Sequence, residues 1–321
     1  MPPETKNRFA LWVRAVRAPF FTASLIPVLT GAALTLYYGT PAAWAWLPLI
    51  ALGAVSFHAG TNLTNDYYDH GRGVDTPTSF GSSKVIQEGL LTPRAVLRAG
   101  LLFFALGTLV SLPFLFLRGP TALVLLALAL LGGYLYTGTP FAYKYVALGD
   151  LFVFLLMGPL MVVGTSFVLT GRWDGRVLAA SLPVGFLVSA ILHANNLRDI
   201  EHDRAAGVRT FANTLGPEKA KSFYALLLGA AYLAVSVMIF DGTLPWLAVS
   251  VGATLPLARR NLAMVRPTRR RLKVANSDLK VANSDLKAID VATAQLHLAF
   301  GLLYIVSLVL ASLLVASIFN K

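Results

Sequence analysis

Long stretches of this chain carry no Asp, Glu, Lys or Arg, and their lengths match what a bilayer requires. The first lies between Arg17 and Asp66. It is long enough for two helices of about 20 residues each, and Gly39, Thr40 and Pro41 supply a turn between them. Further uncharged stretches cover 99–117, 119–143, 151–171, 177–197, 222–240, 242–258 and 291–320. Turn-forming groups divide several neighbours: Arg118-Gly119-Pro120, Gly171-Arg172-Trp173 and Asp241-Gly242. The pattern predicts an all-α membrane protein with nine transmembrane helices, at about 18–38, 43–65, 99–117, 121–140, 151–171, 177–197, 222–240, 242–258 and 292–317. A single integral-membrane domain over 1–321 is expected.

Nine spans put the termini on opposite sides, and the basic residues sort accordingly. Of 27 Lys and Arg, 23 fall on one side; only Arg118, Arg172, Arg176 and Lys321 fall on the other. The basic side, with the N-terminus, is expected to be cytoplasmic, which places the protein in the inner (cytoplasmic) membrane. Acidic residues share this partition: 13 of 15 lie inside, Asp174 and Asp241 outside. Chemistry is therefore expected at the cytoplasmic helix ends.

Composition agrees. Hydrophobic residues make up 56% of the 321 and charged residues 13%, against roughly 25% charged in soluble domains. Mean hydropathy is +0.66. The absence of cysteine excludes disulfides, thiolate metal sites and thiol nucleophiles. A net charge of +12 raises nucleic acid in a soluble protein; here loop topology accounts for it, and no nucleic-acid partner is expected. No apolar segment ending in a small-residue cleavage site follows Met1–Arg17, so no cleavable signal peptide is expected.

Two acidic clusters stand out. Asn62, Asp66 and Asp69 follow span 2 at i, i+4 and i+7; Asn195, Asp199 and Asp203 follow span 6 at i, i+4 and i+8. Each set shares one helix face. Helix C-termini disfavour negative charge, so a mere solvated end would be better served by Lys or Arg. Two clusters of one design favour function over that plainer reading. Hard oxygen ligands without Cys suit Mg²⁺, which keeps waters and shares phosphate oxygens with a ligand. Nearby cations suit an anion: Arg72, Lys84, Lys144, Arg198, Arg204 and Arg209. Any one of them is accounted for by topology alone. Lys84 and Arg209 stand out by their Gly/Ser/Thr settings, 81–84 and 207–210. His58, one turn before Asn62, reads as a packed histidine.

The motifs lie four spans apart, so they face the same side. This suggests two four-helix repeats plus a ninth helix, with the acidic walls across one cavity. Residues 272–278 and 279–285 are the same LKVANSD heptad, read as a duplication in a tolerant loop.

Over nearly its whole length the chain resembles the UbiA superfamily of intramembrane polyprenyltransferases, whose hallmark is two NxxxDxxxD motifs. The second is complete here and the first is the shortened NxxxDxxD form. NLTNDYYD at 62–69, GVDT at 73–76, GSSKVIQEG at 81–89, YTGTPFAYKYVALGD at 136–150, NNLRD at 195–199 and AGVRT at 206–210 are similar to the 1,4-dihydroxy-2-naphthoate polyprenyltransferases of menaquinone synthesis. Val208 stands where that branch often has Lys, and Lys84 where Arg is frequent.

The resemblance implies a UbiA-type bundle and transfer of a prenyl group from a polyprenyl diphosphate, through an allylic cation, to an aromatic acceptor. It implies Mg²⁺ on Asp66, Asp69, Asp199 and Asp203. Asn62 and Asn195 would orient ligands or substrate, and Lys84 and Arg209 would neutralise diphosphate, assisted by Arg198, Arg72 and Lys144. Asn65 and Asp75 would join the first motif's network. An allylic cation favours a π-rich wall, for which Tyr67, Tyr68, Tyr134 and Tyr136 are candidates, although such tyrosines also form interfacial belts. Other acceptors in the superfamily are 4-hydroxybenzoate, homogentisate, haem and lipid glycerol. An ion-coupled transporter is a reading from another class, disfavoured because the acids gather at one membrane side. A scaffold role is disfavoured by the duplicated metal motif.

Overall fold

The computed structural model describes residues 7–77, 79–265 and 286–319. Among them the secondary structure is helical apart from one isolated parallel bridge, Val146 with Arg209. The duplicated heptads lie outside the described residues.

A short amphipathic helix, α1 (Arg8–Ala15), precedes the bundle, with Asn7 accepting from the Phe9 amide at its start. A 3₁₀ turn at Ala18–Phe21 leads into α2 (Thr22–Tyr37). Next come α3 (Leu47–Gly71), α4 (Pro93–Arg118) and α5 (Pro120–Tyr134). Proline at the first turn of each of these three exploits amides that would lack partners anyway. Helices α6 (Gly149–Leu155) and α7 (Met161–Thr170) form one rod through a π turn at Leu156–Leu160. Helix α8 (Gly175–Arg198) follows, then the short α9 (Ile200–Ala205) and α10 (Phe211–Leu215), then α11 (Pro217–Phe240). A 3₁₀ stretch at Trp246–Thr254 runs into α12 (Leu255–Val265), and α13 (Ile289–Phe319) closes the chain.

Six of the described helical segments are long and apolar enough to cross a membrane: Ala18–Tyr37, Pro93–Arg118, Gly149–Thr170, Gly175–Arg198, Pro217–Phe240 and Ile289–Ser317. The other three expected spans differ for physical reasons. Helix α3 continues past residue 65 through the first acidic motif, so its last turns are polar. Helix α5 stops at Tyr134 rather than near 140, behind Gly132 and Gly133. The 242–258 segment is largely 3₁₀, whose rise of about 2.0 Å per residue stretches a short sequence further than an α-helix would.

Each motif helix packs along a later one, α3 on α4 and α8 on α11, while α13 packs against α2 and α8. The main apolar core joins α2, α8, α11 and α13 through Leu34, Leu187, Leu228 and Phe300. Glycines allow the tightest crossings. A Cβ on Gly158 would run into the Gly185 backbone, and one on Gly301 into Ile26. Trp44, Trp173 and Trp246 are exposed at the end remote from the motifs, as an interfacial aromatic belt requires.

Candidate active site

The first motif lies on unbroken helix, so Asp66 and Asp69 point into the protein and are both 2% exposed. Each is tied to chain segments far away in sequence. Asp66 accepts from Arg17 and from the Ser83 hydroxyl and amide. Asp69 accepts from Lys144 Nζ at 2.5 Å and from the Tyr145 hydroxyl at 2.6 Å. Asn65 bridges the pair, donating to Asp69 at 2.9 Å and accepting from Lys144 at 3.0 Å. Asn62 donates to the Val16 carbonyl at 2.9 Å, which anchors the linker carrying Arg17.

The second motif straddles a helix break. Helix α8 ends at Arg198, Asp199 leaves helical geometry, and α9 begins at Ile200. The Asp203 amide still donates to the Asp199 carbonyl at 2.8 Å, so the expected shared face survives. Arg198 forks onto Asp199 with bonds of 2.9 and 2.7 Å, and also reaches Asn195 at 2.5 Å and Asp290 at 2.7 Å. Asp203 is buried, and its carboxylate accepts no hydrogen bond among the described residues.

The loop 81–84 joins the two walls. A Cβ on Gly81 would stand 3.2 Å from Asp199 Oδ2 and 3.4 Å from Asn195 Oδ1, so glycine lets the loop close on the second motif. Two residues on, Ser83 holds Asp66 of the first. Lys84 follows in left-handed geometry (φ 65°) and donates 2.8 Å bonds to the Thr76 carbonyl and Ser79 hydroxyl. His202 of α9 also crosses between the walls, with Nε2 2.6 Å from the Val74 carbonyl.

Burial and charge set the electrostatics. Desolvation pushes the Asp203 carboxyl up to about 7, with Asp199 and Asp69 adding to it against Lys144. Desolvation, then Asp69, pushes Asp75 up to about 6, and Asp75 Oδ2 is buried without a partner. Burial is the largest single influence on Lys144 and Arg17 and works to lower them. Asp69 with Tyr136, Tyr145 and Asp75 around Lys144, and Asp66 with Asp75 and Asp69 around Arg17, together outweigh it, and both stand above their ordinary values. Lys84 is lowered by desolvation.

From this mouth a cavity of about 780 Å³ descends between α2, α3, α5 and the α6–α7 rod. Its polar end is lined by Arg17, Asn62, Asn65, Asp69, Asp75, Lys84, Tyr136, Lys144, Asn195, Asp199 and Asp203. Its apolar end is lined by Ile50, Phe114, Leu125, Leu156, Met161 and Val168. From Asn65 to Ile50 it follows α3 for about 22 Å at 1.5 Å per residue.

Most of the residues singled out in the sequence therefore converge. Asp66 stands directly behind the lining, held by Arg17, and Arg198 is committed to its carboxylates. Arg72 and Arg209 are not brought to the cavity. Arg72 is exposed, 4.2 Å over the Tyr145 ring, and Arg209 is exposed while its carbonyl accepts from Ala147. Of the four tyrosines only Tyr136 lines the cavity, from the loop after α5. The Tyr68 and Tyr134 hydroxyls pair with each other at 3.0 Å behind it, and Tyr67 packs on Tyr68. Val208 is buried with Val74, Ala142 and Tyr145, a setting that accepts valine and would bury a lysine.

Sequence reasoning missed Arg17, Ser83, Tyr145 and Asp290. Arg17 and Asp290 are each the last charge beside a span, which was the available signal.

The oxygens present fit a hard divalent cation. No three acidic or His side chains among the described residues make a protein-only cage. What the site offers is paired carboxylate walls with oxygens of Asp203 and Asp75 unspent, the arrangement for an ion shared with a phosphate ligand.

The UbiA prenyltransferase family pattern matches residues 24–283. The 1,4-dihydroxy-2-naphthoate octaprenyltransferase of Mycobacterium tuberculosis is 37% identical over 264 residues, covering 81% of this chain and 88% of that protein. UbiA prenyltransferase domain-containing protein 1 of Xenopus tropicalis is 33% identical over 310 residues, 95% of this chain and 84% of that protein. The fold resembles a UbiA homolog from Archaeoglobus fulgidus solved bound to GPP and Mg²⁺: TM-score 0.58, 18% identity, covering 92% of this chain and 99% of that one. A solved digeranylgeranylglyceryl phosphate synthase gives 0.59 at 16% identity, covering 94% and 99%. With its acidic walls, its apolar cavity and these relatives, the chain belongs to the UbiA prenyltransferase family and is a membrane-embedded prenyltransferase.

Proposed function

We propose that the protein transfers a polyprenyl group from polyprenyl diphosphate to 1,4-dihydroxy-2-naphthoate, giving demethylmenaquinone. The observation that carries this reading is the single cavity joining two acidic walls to an apolar channel. The acceptor is supported by the mycobacterial relative. The animal relatives are about as similar, which makes the acceptor the first thing to test. We read the bundle as nine crossings, two four-helix repeats plus α13, in one domain, with the mouth and N-terminus cytoplasmic on charge asymmetry.

Asp66, Asp69, Asp199 and Asp203 would hold Mg²⁺, with Asn62, Asn65 and Asn195 orienting them or the substrate. The ion, when bound, supplies charge stabilisation for a leaving diphosphate. Arg17, Lys84 and Lys144 bind the diphosphate oxygens and meet the charge that develops as the C–O bond breaks. Arg198 positions Asp199. Arg72 and Arg209 sit where they would attract the anion on approach. Tyr136 and Tyr143 offer π faces to the allylic carbon, and the apolar walls keep water from that cation.

The test is a Mg²⁺-dependent transfer assay on purified protein, offering long prenyl diphosphates with 1,4-dihydroxy-2-naphthoate and 4-hydroxybenzoate in parallel. Demethylmenaquinone, lost in Asp66→Asn and Asp199→Asn, is the expected result. Product only with 4-hydroxybenzoate would change the acceptor. Solute flux in sealed vesicles without covalent product would favour a transporter.

A further inference from the structure

Transfer to a hydroxylated ring moves a proton as well as a carbon chain, and the roles above leave that proton without an acceptor. The acids at the mouth are paired with cations or, in the prenyl-transfer reading, are reserved for the metal. The second lining histidine, His202, has its Nε2 at the Val74 carbonyl. Tyr136 and Tyr143 are phenols, which are not bases near neutral pH.

His58 differs. It lies on α3, on the cavity wall, four residues before Asn62 and so about 6 Å deeper along the helix. That is one helical turn below Asn62, on the side of the cavity where Ala54 and Gly53 of the same helix continue the lining. Ser24 of α2 stands opposite, with Oγ 2.8 Å from His58 Nδ1, and Phe21 packs edge-on at 5.4 Å. Ser24 is fully buried and the imidazole is held between two helices, so its orientation is fixed. Nε2 makes no hydrogen bond among the described residues. When Nδ1–H donates to Ser24, Nε2 presents its lone pair to the cavity. Phe20, Ala23 and Phe57 line the same cavity and give it apolar surface.

We propose that His58, oriented by Ser24, is the proton acceptor of the reaction; this rests on the prenyl-transfer reading. A ring hydroxyl gives its proton to Nε2, which makes the neighbouring ring carbon more nucleophilic. That carbon forms the C–C bond to the allylic carbon, while the C–O bond to diphosphate breaks and its electron pair leaves with the diphosphate. Where the attacked carbon carries a carboxylate, loss of carbon dioxide returns electrons to the ring and His58 returns its proton to the oxygen. Where it carries hydrogen, His58 first returns its proton to the oxygen and then, as free imidazole, takes the ring-carbon proton and passes it to solvent. Ser24 is a positioning residue in this scheme.

The experiment compares wild type, His58→Ala, His58→Gln and Ser24→Ala as purified full-length protein, with binding of a non-cleavable prenyl thiolodiphosphate as the control for folding. Donor binding is expected to stay at the wild-type level while kcat falls about 10²-fold or more in both His58 variants, the range for a lost general base. Added imidazole restores His58→Ala in proportion to its free-base form. Ser24→Ala shows a smaller fall in kcat. Wild-type kcat in His58→Ala overturns the proposal, as does full activity in His58→Gln, which keeps a hydrogen-bonding side chain but no base. A loss that no imidazole restores also overturns it, in favour of a packing role. Wild type that prenylates no aromatic acceptor fails the underlying reading instead.

Discussion

At the residue scale, the site is a set of charges that neutralise one another. Asp203 and Asp75 are the exceptions, raised from 3.8 to about 7 and about 6, chiefly by burial. A raised carboxyl binds more protons folded than unfolded. Its contribution to stability is full below about pH 4 and is lost as pH rises towards 7. Metal binding needs the ionised form, so Mg²⁺ affinity is expected to rise between pH 6 and 8 with release of protons. Calorimetry in two buffers of different ionisation enthalpy measures that release; heats that do not depend on the buffer would refute it. Arg17→Ala leaves Asp66 without its cation and removes a donor to diphosphate. Activity is expected to fall about 10²-fold, read from kcat/KM on the same membranes as wild type.

At the element scale, the helices were legible because charge-free runs report the bilayer directly. Their ends were not. The end of α5 depends on Gly132 and Gly133 and on loop packing around Tyr143, whose hydroxyl donates to the Gly132 carbonyl at 2.6 Å. The π turn at Leu156–Leu160 has no periodicity signal, since one extra residue per turn disappears in a uniformly apolar run. The Gly158–Gly185 crossing beside it is testable. Gly185→Leu is expected to lower stability by about 1–3 kcal/mol through overpacking. Gly229→Ala, where an added Cβ meets nothing within 4 Å, is expected to raise it by up to about 1 kcal/mol. Thermal unfolding in detergent distinguishes the two, and equal shifts would mean that the crossing is not tight.

At the scale of the whole molecule, the acidic motifs were readable because their spacing is local. Most of their partners were not, because Arg17, Ser83, Tyr145 and Asp290 come from four separate segments that only the tertiary fold assembles. Arg72 and Arg209 show the converse, since closeness in sequence to a motif did not bring them to the cavity. The channel is likewise a product of the bundle. A side chain on Gly164 would enter it, meeting only Leu125 near 4 Å. Gly164→Phe is therefore expected to shorten the longest prenyl donor used, read by chromatography of products from donors of graded length; an unchanged product range would place the chain elsewhere.

The self-paired charges at the mouth carry a consequence for the order of events. A lone metal ion meets Asp66, Asp69 and Asp199 already held by Arg17, Lys144 and Arg198, and a lone diphosphate meets Arg17 and Lys144 already held by carboxylates. Arriving together, each frees the partners the other needs, so the resting protein behaves as a lock that opens to two keys turned at once. Such coupling is reciprocal: saturating Mg²⁺ must tighten diphosphate binding by the same factor by which diphosphate tightens Mg²⁺.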